Sequence, residues 1–291
     1  AQHVGMGQSW ADYSADAKAI FERANGVLDI DLAKLCFEGP EGHLNRTDIA
    51  QAAIYTTSVA CYQALGGDEV TAAAGLSLGE FTALHLAGAF DFESGLELVR
   101  LRGQAMQEAA DASDGSMVAL IGADEVQATE LCDRAREDGI LVPANFNCPG
   151  QIVISGLADA CDRAVAVADE MGLRATALTV AGAFHSPLMQ PAADRLAKAL
   201  DDVDWQLPKV TVLSNVTAVP HEDSIDSIKQ RLVDQLTSPV RWSESMAWVL
   251  GHLEGELVEL APGKVLSGLM RRIDRKIKVT NHANPPVEAT S

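Results

Sequence analysis

Gly75-Leu76-Ser77-Leu78-Gly79 is a G-x-S-x-G pentapeptide that follows the small apolar run from Val70 to Ala74 and opens a segment of helical character. Between a buried strand and a helix, this pattern marks a nucleophile elbow. Glycines let the backbone turn without a Cβ clash, so the Ser77 hydroxyl projects from the strand end, and the following helix N-terminus adds partial positive charge. The backbone N–H of Leu78 would then face the place where an oxyanion develops. The pentapeptide alone fits an ordinary serine in a tight bend equally well, and its flanks favour the nucleophile.

A serine alkoxide is not available at neutral pH, so a base must lie within hydrogen-bond reach. The chain has seven histidines. His185, in "VAGAFHSPLMQPAADRL", falls in a loop between a strand and a helix, where a side chain can project into a cleft. His85 lies about two turns into the helix after Ser77 and is expected to pack or to face solvent. His3, His43, His221, His252 and His282 fall in polar or terminal segments. The order Ser77 then His185 excludes the chain orders of chymotrypsin and subtilisin and permits a hydrolase-like one. No single Asp between them stands out as a third member.

The elements that must position these residues follow from periodicity and punctuation. Helices are expected over Gln8 to Ala24 and Arg46 to Leu65, the second with Asn45 or Thr47 as N-cap and Gly66-Gly67 as terminator. "VTAAAG" reads as a buried strand leading to Ser77, Leu78 to His85 as a helix, and "FDFESGLELVRLRGQAMQEAA" as a long one. From Ser116 to about Gly182 the order changes to strand "SMVALIG", helix "DEVQATELCDRARED", strands "ILVPANFN" and "QIVISG" joined at Cys148-Pro149-Gly150, helix "LADACDRAVAVADEMG" and strand "RATALTV". This βαββαβ order is that of a ferredoxin-like unit inserted into a larger one. Helix "PLMQPAADRLAKAL", strand "KVTVLSN", helices "SIDSIKQRLVDQL" and "SESMAWVLGHL", strand "GELVELAPG" and helix "KVLSGLMRRI" complete the chain. The tail "NHANPPVEATS" has no core pattern and is expected to fray.

Composition narrows the function. At 291 residues and 47% apolar, the chain can form one large domain or one domain carrying an insertion, and no apolar run approaches the roughly 18 to 20 residues of a membrane span. The first residues lack the features of a secretory signal, so a cytoplasmic protein without a membrane partner is expected. Five cysteines, widely spaced and never in a C-x-x-C pair, suggest neither a disulfide framework nor a metal site and should be buried thiols. A formal charge of −19 argues against nucleic acid as a partner, so any anionic ligand must meet a local cationic site. The densest positive cluster, "RRIDRKIK" from Arg271 to Lys278, is a solvated helix face or a docking patch.

Seven stretches together extend this reading: "VGMGQSW", "GLSLGEFTAL", "LVRLRGQAMQEA", "NFNCPGQIVISG", "GAFHSPLMQPAADRL", "DQLTSPVRW" and "ELAPGKVLSGLMRRI". In this order they resemble the malonyl-CoA:acyl carrier protein transacylases, the acyltransferase family of fatty acid and polyketide synthesis, over essentially the whole chain. The resemblance implies an α/β fold: an α/β-hydrolase-like large subdomain from residues 1–115 and 183–291, interrupted by a ferredoxin-like subdomain over 116–182. It implies Ser77 as the acylated nucleophile, His185 as general base and acid, Leu78 as oxyanion N–H donor, and Gln235 as the residue whose main-chain carbonyl orients His185 in place of an Asp. Arg102 would pair with the malonyl carboxylate, with Leu76 and Phe184 beside the substrate. On an acidic chain the ordinary alternative for Arg102 is a salt bridge to a nearby carboxylate.

Malonyl-CoA would be the substrate and acyl carrier protein the acceptor and partner, without a metal or redox cofactor. "AGAFHS" resembles the malonyl-selecting version of its motif. Leu76 stands where the family usually has histidine. Family members also carry a strand and a Pro-Gly-Gln-Gly turn upstream of the stretch matching "AQHVGMG", and that turn's glutamine supplies a second oxyanion N–H. The sequence opens at Ala1, with Gln2 matching the next glutamine, so a chain lacking that donor, worth about 3 to 4 kcal/mol, is expected. A serine esterase or thioesterase, a polyketide-synthase acyltransferase and a non-catalytic carrier-binding module are the competing readings. A buried Arg102 would have no use in an esterase for neutral acyl groups.

Overall fold

The computed structural model describes residues 1–67 and 70–286. Helices α1 (Gln8–Tyr13), α2 (Ala15–Leu28), α3 (Leu32–Glu38), α4 (Glu41–Leu44) and α5 (Thr47–Ala64) lead to strand β1 (Ala72–Ala73), α6 (Gly79–Leu86) and α7 (Phe92–Asp111). Then come β2 (Gly115–Ile121), α8 (Glu125–Arg136), β3 (Leu141–Cys148), β4 (Gln151–Leu157), α9 (Ala158–Glu170) and β5 (Arg174–Ala177). The chain continues through α10 (Gln190–Asp201), β6 (Thr211–Val212), α11 (Ile225–Asp234), α12 (Trp242–His252), β7 (Leu257–Leu260), α13 (Val265–Ile273) and β8 (Val279–His282).

Local chemistry explains where these boundaries depart from the expected ones. The helix expected over Gln8 to Ala24 is two helices, because Ser14 is extended and its Oγ accepts from the Asp16 and Ala17 N–H groups to start α2. Neither Asn45 nor Thr47 caps α5. Arg46 holds the N-cap position without a side-chain bond, and the Thr47 N–H donates instead to Gln107 Oε1 on α7 at 3.4 Å, so a tertiary partner replaces the cap. The strand read in "VTAAAG" shrinks to Ala72–Ala73 and is only half buried; among the described residues it pairs, in parallel, with the equally short β6 alone. The tail does not fray from Asn281 onward. Asn281 and His282 belong to β8, which pairs parallel with β7, and the Asn281 amide donates to Glu259 and to the Gly263 carbonyl. The rest of that expectation, residues 287–291, lies outside the described residues.

Helix α7 presents Phe92, Leu96, Val99, Gly103 and Met106 at three- and four-residue intervals to a core it shares chiefly with α5, and Arg102 is buried on the same helix. The order β2-α8-β3-β4-α9-β5 is the βαββαβ sequence expected, and its four strands form an antiparallel sheet in the order β3-β4-β2-β5. Alternation decides its two faces. Val118, Leu120 and Ile154 pack with α8 and α9, whereas Met117, Ala119, Ala144 and Val153 face the opposite way and pack with Phe184. All five cysteines are buried free thiols. Among the described residues no helix is long and apolar enough to cross a membrane.

The turn between β1 and α6 is closed by backbone: Gly79 N–H donates to Leu76 O at 2.9 Å and Glu80 N–H to Ser77 O at 3.1 Å. Ser77 sits at φ +53°, in the left-handed region that residues with a Cβ seldom adopt. The two glycines of the motif are not equivalent. A Cβ on Gly75 would fall 2.0 Å from the Gly79 carbonyl, whereas one on Gly79 would meet nothing within 4 Å. Gly75→Ala is therefore expected to destabilise the fold by about 3 kcal/mol. Gly79→Ala should stay within about 1 kcal/mol of the parent, as its new methyl enters open space on a helix. Urea midpoints for the two variants check this; similar losses would show that the clash does not set the requirement.

Candidate active site

The elbow aims Ser77 Oγ at His185, whose Nε2 lies 2.9 Å away. His185 is itself left-handed, at φ +57°. The following Ser186 holds that bend, donating its hydroxyl to the Ala183 carbonyl and accepting from the Leu188 N–H to start a single 3-10 turn at Pro187. On its other side, His185 Nδ1 is 2.8 Å from the main-chain oxygen of Gln235. Gln235 caps the C-terminus of α11, where a carbonyl has no partner within the helix. Because a carbonyl only accepts, this contact assigns the proton to Nδ1 and leaves the Nε2 lone pair facing the serine hydroxyl. Burial, reinforced by the Arg102 charge, pulls the imidazole pKa down to about 4 against the opposing pull of the Gln235 carbonyl. At neutral pH the ring is uncharged and able to accept a proton.

Arg102 is 1% exposed. Its Nη1 donates to Gln51 Oε1 at 2.6 Å, and its Nη2 to Gln235 Oε1 at 2.8 Å and Ser77 Oγ at 3.0 Å. Its Nε is buried without a partner. The guanidinium stands over the Phe81 ring, 5.6 Å from its centroid. Among the described residues no carboxylate forms an ion pair with it, so the salt bridge that was its ordinary alternative is not made. Burial lowers its pKa to about 10, partly offset by Glu80, which leaves a cation at neutral pH.

The two backbone N–H groups at the elbow differ. That of Ser77 is taken by Asn215 Oδ1 at 2.6 Å, whereas that of Leu78 finds no acceptor among the described residues and remains available. Leu76 and Phe184 line a cavity of about 1750 Å³ together with Ser77, Arg102, His185 and Met117. Lys276 and Lys278 line it as well; Arg271, Arg272 and Arg275 do not. Among the described residues no group of three or more His, Cys, Asp or Glu side chains is placed to hold a metal ion.

Several polar residues of the site escaped the sequence reading. Gln51 lies inside α5 with no motif to mark it. Glu80 is fully buried, and a lone acid in the apolar segment "GEFTALHL" was the available signal. Asn215 is buried at the end of what read as a strand. His221 fell in a polar segment, yet its side chain is 2% exposed and its Nε2 lies 2.7 Å from Glu80 Oε1. His85 packs rather than facing solvent, with Nδ1 3.0 Å from the Phe90 carbonyl.

The set can run base-assisted attack of a serine on an acyl carbonyl, with one free N–H for the oxyanion and a fixed cation beside the nucleophile. Comparison with known proteins agrees with that chemistry. The acyl transferase domain family matches residues 1–282. The malonyl CoA-acyl carrier protein transacylase of Bacillus subtilis is 41% identical over 288 residues, covering 98% of this chain and 90% of the relative. The crystal structure of the malonyl CoA-acyl carrier protein transacylase of Clostridium perfringens is 37% identical with a TM-score of 0.94, covering 98% of this chain and 90% of that one. A malonyl-transacylase solved in complex with its type II PKS acyl-carrier protein is 38% identical with a TM-score of 0.93, covering 98% and 93%. With its serine, histidine and arginine gathered at one elbow and these matches over nearly its whole length, the chain belongs to the acyl transferase domain family.

Proposed function

We propose that this chain transfers the malonyl group of malonyl-CoA to the phosphopantetheine thiol of an acyl carrier protein, through a malonyl-serine ester, in fatty acid biosynthesis. The observation that carries this reading is Arg102: a buried guanidinium 3.0 Å from the nucleophile and free of any ion pair among the described residues. A carboxylate entering a site with little water needs a fixed cation to replace its hydration. A serine esterase for neutral acyl groups would need only Ser77 and His185.

In the first half-reaction His185 Nε2 takes the Ser77 proton as Oγ attacks the thioester carbonyl. The Leu78 N–H stabilises the tetrahedral oxyanion. Collapse expels the CoA sulfur, which receives the proton from His185. The carrier thiol then gives its proton to His185 and attacks the ester carbonyl, and Ser77 leaves and regains a proton from the imidazolium. The Gln235 carbonyl at the C-terminal end of α11 favours the imidazolium each time it forms. Leu76 and Phe184 flank the acyl group. The scheme needs no metal or redox cofactor. A carrier protein as partner is supported by the related malonyl-transacylase solved with one, and Arg271, Arg272 and Arg275, which form no ion pair among the described residues and stand next to the cavity-lining Lys276 and Lys278 in the chain, offer an acidic carrier a docking patch. The elbow and the βαββαβ order support an α/β-hydrolase-like large subdomain, residues 1–115 and 183–291, around a ferredoxin-like one over 116–182. A cytoplasmic location fits this role.

Intact mass after brief exposure to malonyl-CoA tests the reading directly. The parent should gain a malonyl adduct and Ser77→Ala should gain none; an adduct on the variant would refute the nucleophile. Arg102→Ala should lose about one to two orders of magnitude in malonyl acylation, the equivalent of one charged hydrogen-bonded contact, while acetyl-CoA is accepted at the parental rate or better. Parallel loss for both substrates would make Arg102 structural. The acylation rate should also be level through neutral pH and fall only as the pH drops through about 4, where the buried His185 gains the proton that blocks its lone pair. A fall centred near the ordinary histidine value of about 6.5 would mean that the base is solvated in the working enzyme.

A further inference from the structure

One acceptor group stands behind all three reacting side chains. The Glu80 carboxylate, fully buried, takes three donors: His221 Nε2 at 2.7 Å on Oε1, and the Asn215 N–H at 3.1 Å and Gln235 Nε2 at 2.6 Å on Oε2. Two of these donors belong to residues that hold the site. Asn215 clamps the elbow, its Oδ1 accepting from the Ser77 N–H and its Nδ2 donating to the Gly75 carbonyl at 2.7 Å. Gln235 holds the base through its main-chain carbonyl and Arg102 through its side-chain oxygen, and its Nε2 also donates to Ser77 O at 3.1 Å.

We propose that the Glu80–His221 pair is a positioning brace that sets nucleophile, base and guanidinium together. The Gln235 amide can be turned either way about its last bond. Only one orientation serves the site, with oxygen toward Arg102 and nitrogen away from it. An acceptor-only carboxylate on the nitrogen side enforces that orientation. The reversed amide would set its NH₂ against the guanidinium and its oxygen against Glu80. His221 in turn occupies the remaining face of the carboxylate, so Glu80 cannot rotate to release either partner. The carboxylate also lies one hydrogen-bonded residue from Arg102, close enough to balance a buried cation and far enough to leave its donors for a substrate anion. Reciprocal contacts of this kind hold a reacting geometry within the fraction of an ångström that transfer requires.

The inference rests on Ser77 and His185 being nucleophile and base, and two readouts keep the readings separate: malonyl-CoA acylation, and labelling of Ser77 by an alkyl fluorophosphonate, which needs the elbow and base but no malonyl site. Glu80→Ala should lower the limiting rate of both by about 100-fold, with KM for malonyl-CoA within about threefold of the parent. Glu80→Gln should recover most of that loss, because its amide oxygen can still accept from Asn215 and Gln235 while its NH₂ faces a His221 whose proton has moved to Nδ1. His221→Leu, which frees one face of the carboxylate, should fall between the two. Should Glu80→Ala fail to fold, Glu80→Gln and His221→Leu decide: parental rates in a folded His221→Leu would overturn the brace. So would a folded Glu80→Ala with parental fluorophosphonate labelling, or one that loses activity through KM alone. A parent that is labelled by fluorophosphonate but takes no malonyl group would overturn the malonyl reading and leave the brace standing or falling on the labelling rates.

Discussion

A guanidinium removed from water must be given back its hydrogen bonds and some compensation for its charge, and the arrangement around Arg102 follows from that requirement. A carboxylate in direct contact would satisfy it, and would also occupy the cation permanently. Instead Gln51 and Gln235 supply neutral carbonyl oxygens, Ser77 supplies a hydroxyl, and the nearest compensating charge, Glu80, stands one residue further out. The cation is thereby tolerated in the interior while Nε keeps no partner and the ligands that face the cavity are groups an incoming anion can displace.

The same requirement ties the backbone to the chemistry. Ser77 and His185 both adopt left-handed conformations, which are held only where surrounding contacts over-determine them. For Ser77 the contacts are the Asn215 clamp and the close passage of Gly75 over Gly79. For His185 they are the Ser186 bonds and the buried Gln235 carbonyl at the end of α11. That carbonyl takes the place an aspartate holds in other triads. Burial and the Arg102 charge draw the imidazole pKa down to about 4, and a neutral carbonyl opposes them less than a carboxylate would, so in the proposed reaction the histidine gives up its proton readily in each of the two half-reactions.

Much of the molecule could be read from local pattern. The spacing of apolar residues along "FDFESGLELVRLRGQAMQEAA" and the alternation in "SMVALIG" report burial within a window of one element, and α7 and β2 lie where those patterns put them. The helix expected over Gln8 to Ala24 was split by a local group, the Ser14 hydroxyl, whereas elsewhere a distant group intervened: Gln107 replacing a cap on α5, and β7 drawing the apparently featureless Asn281 and His282 into a ladder. Strand β1 came out short for the opposite reason, since only two of its residues find a paired neighbour in β6.

By itself the sequence determined the elbow, because G-x-S-x-G after small apolar residues specifies a turn through local sterics, and it singled out His185 because that histidine falls in a strand-to-helix loop, where a side chain can project into a cleft. Arg102 remained a choice between a salt bridge and a ligand site. Only the tertiary structure decided that, by gathering Gln51, Glu80, Arg102, Gln235 and the pair Asn215 and His221 from five separate segments around one serine. The reason is that burial of a polar group is determined by packing, and its partners by which other polar groups the same packing excludes from water. Neither leaves a period in the chain, so a lone Glu in an apolar helix and a His in a polar stretch look like accidents until they are found 2.7 Å apart.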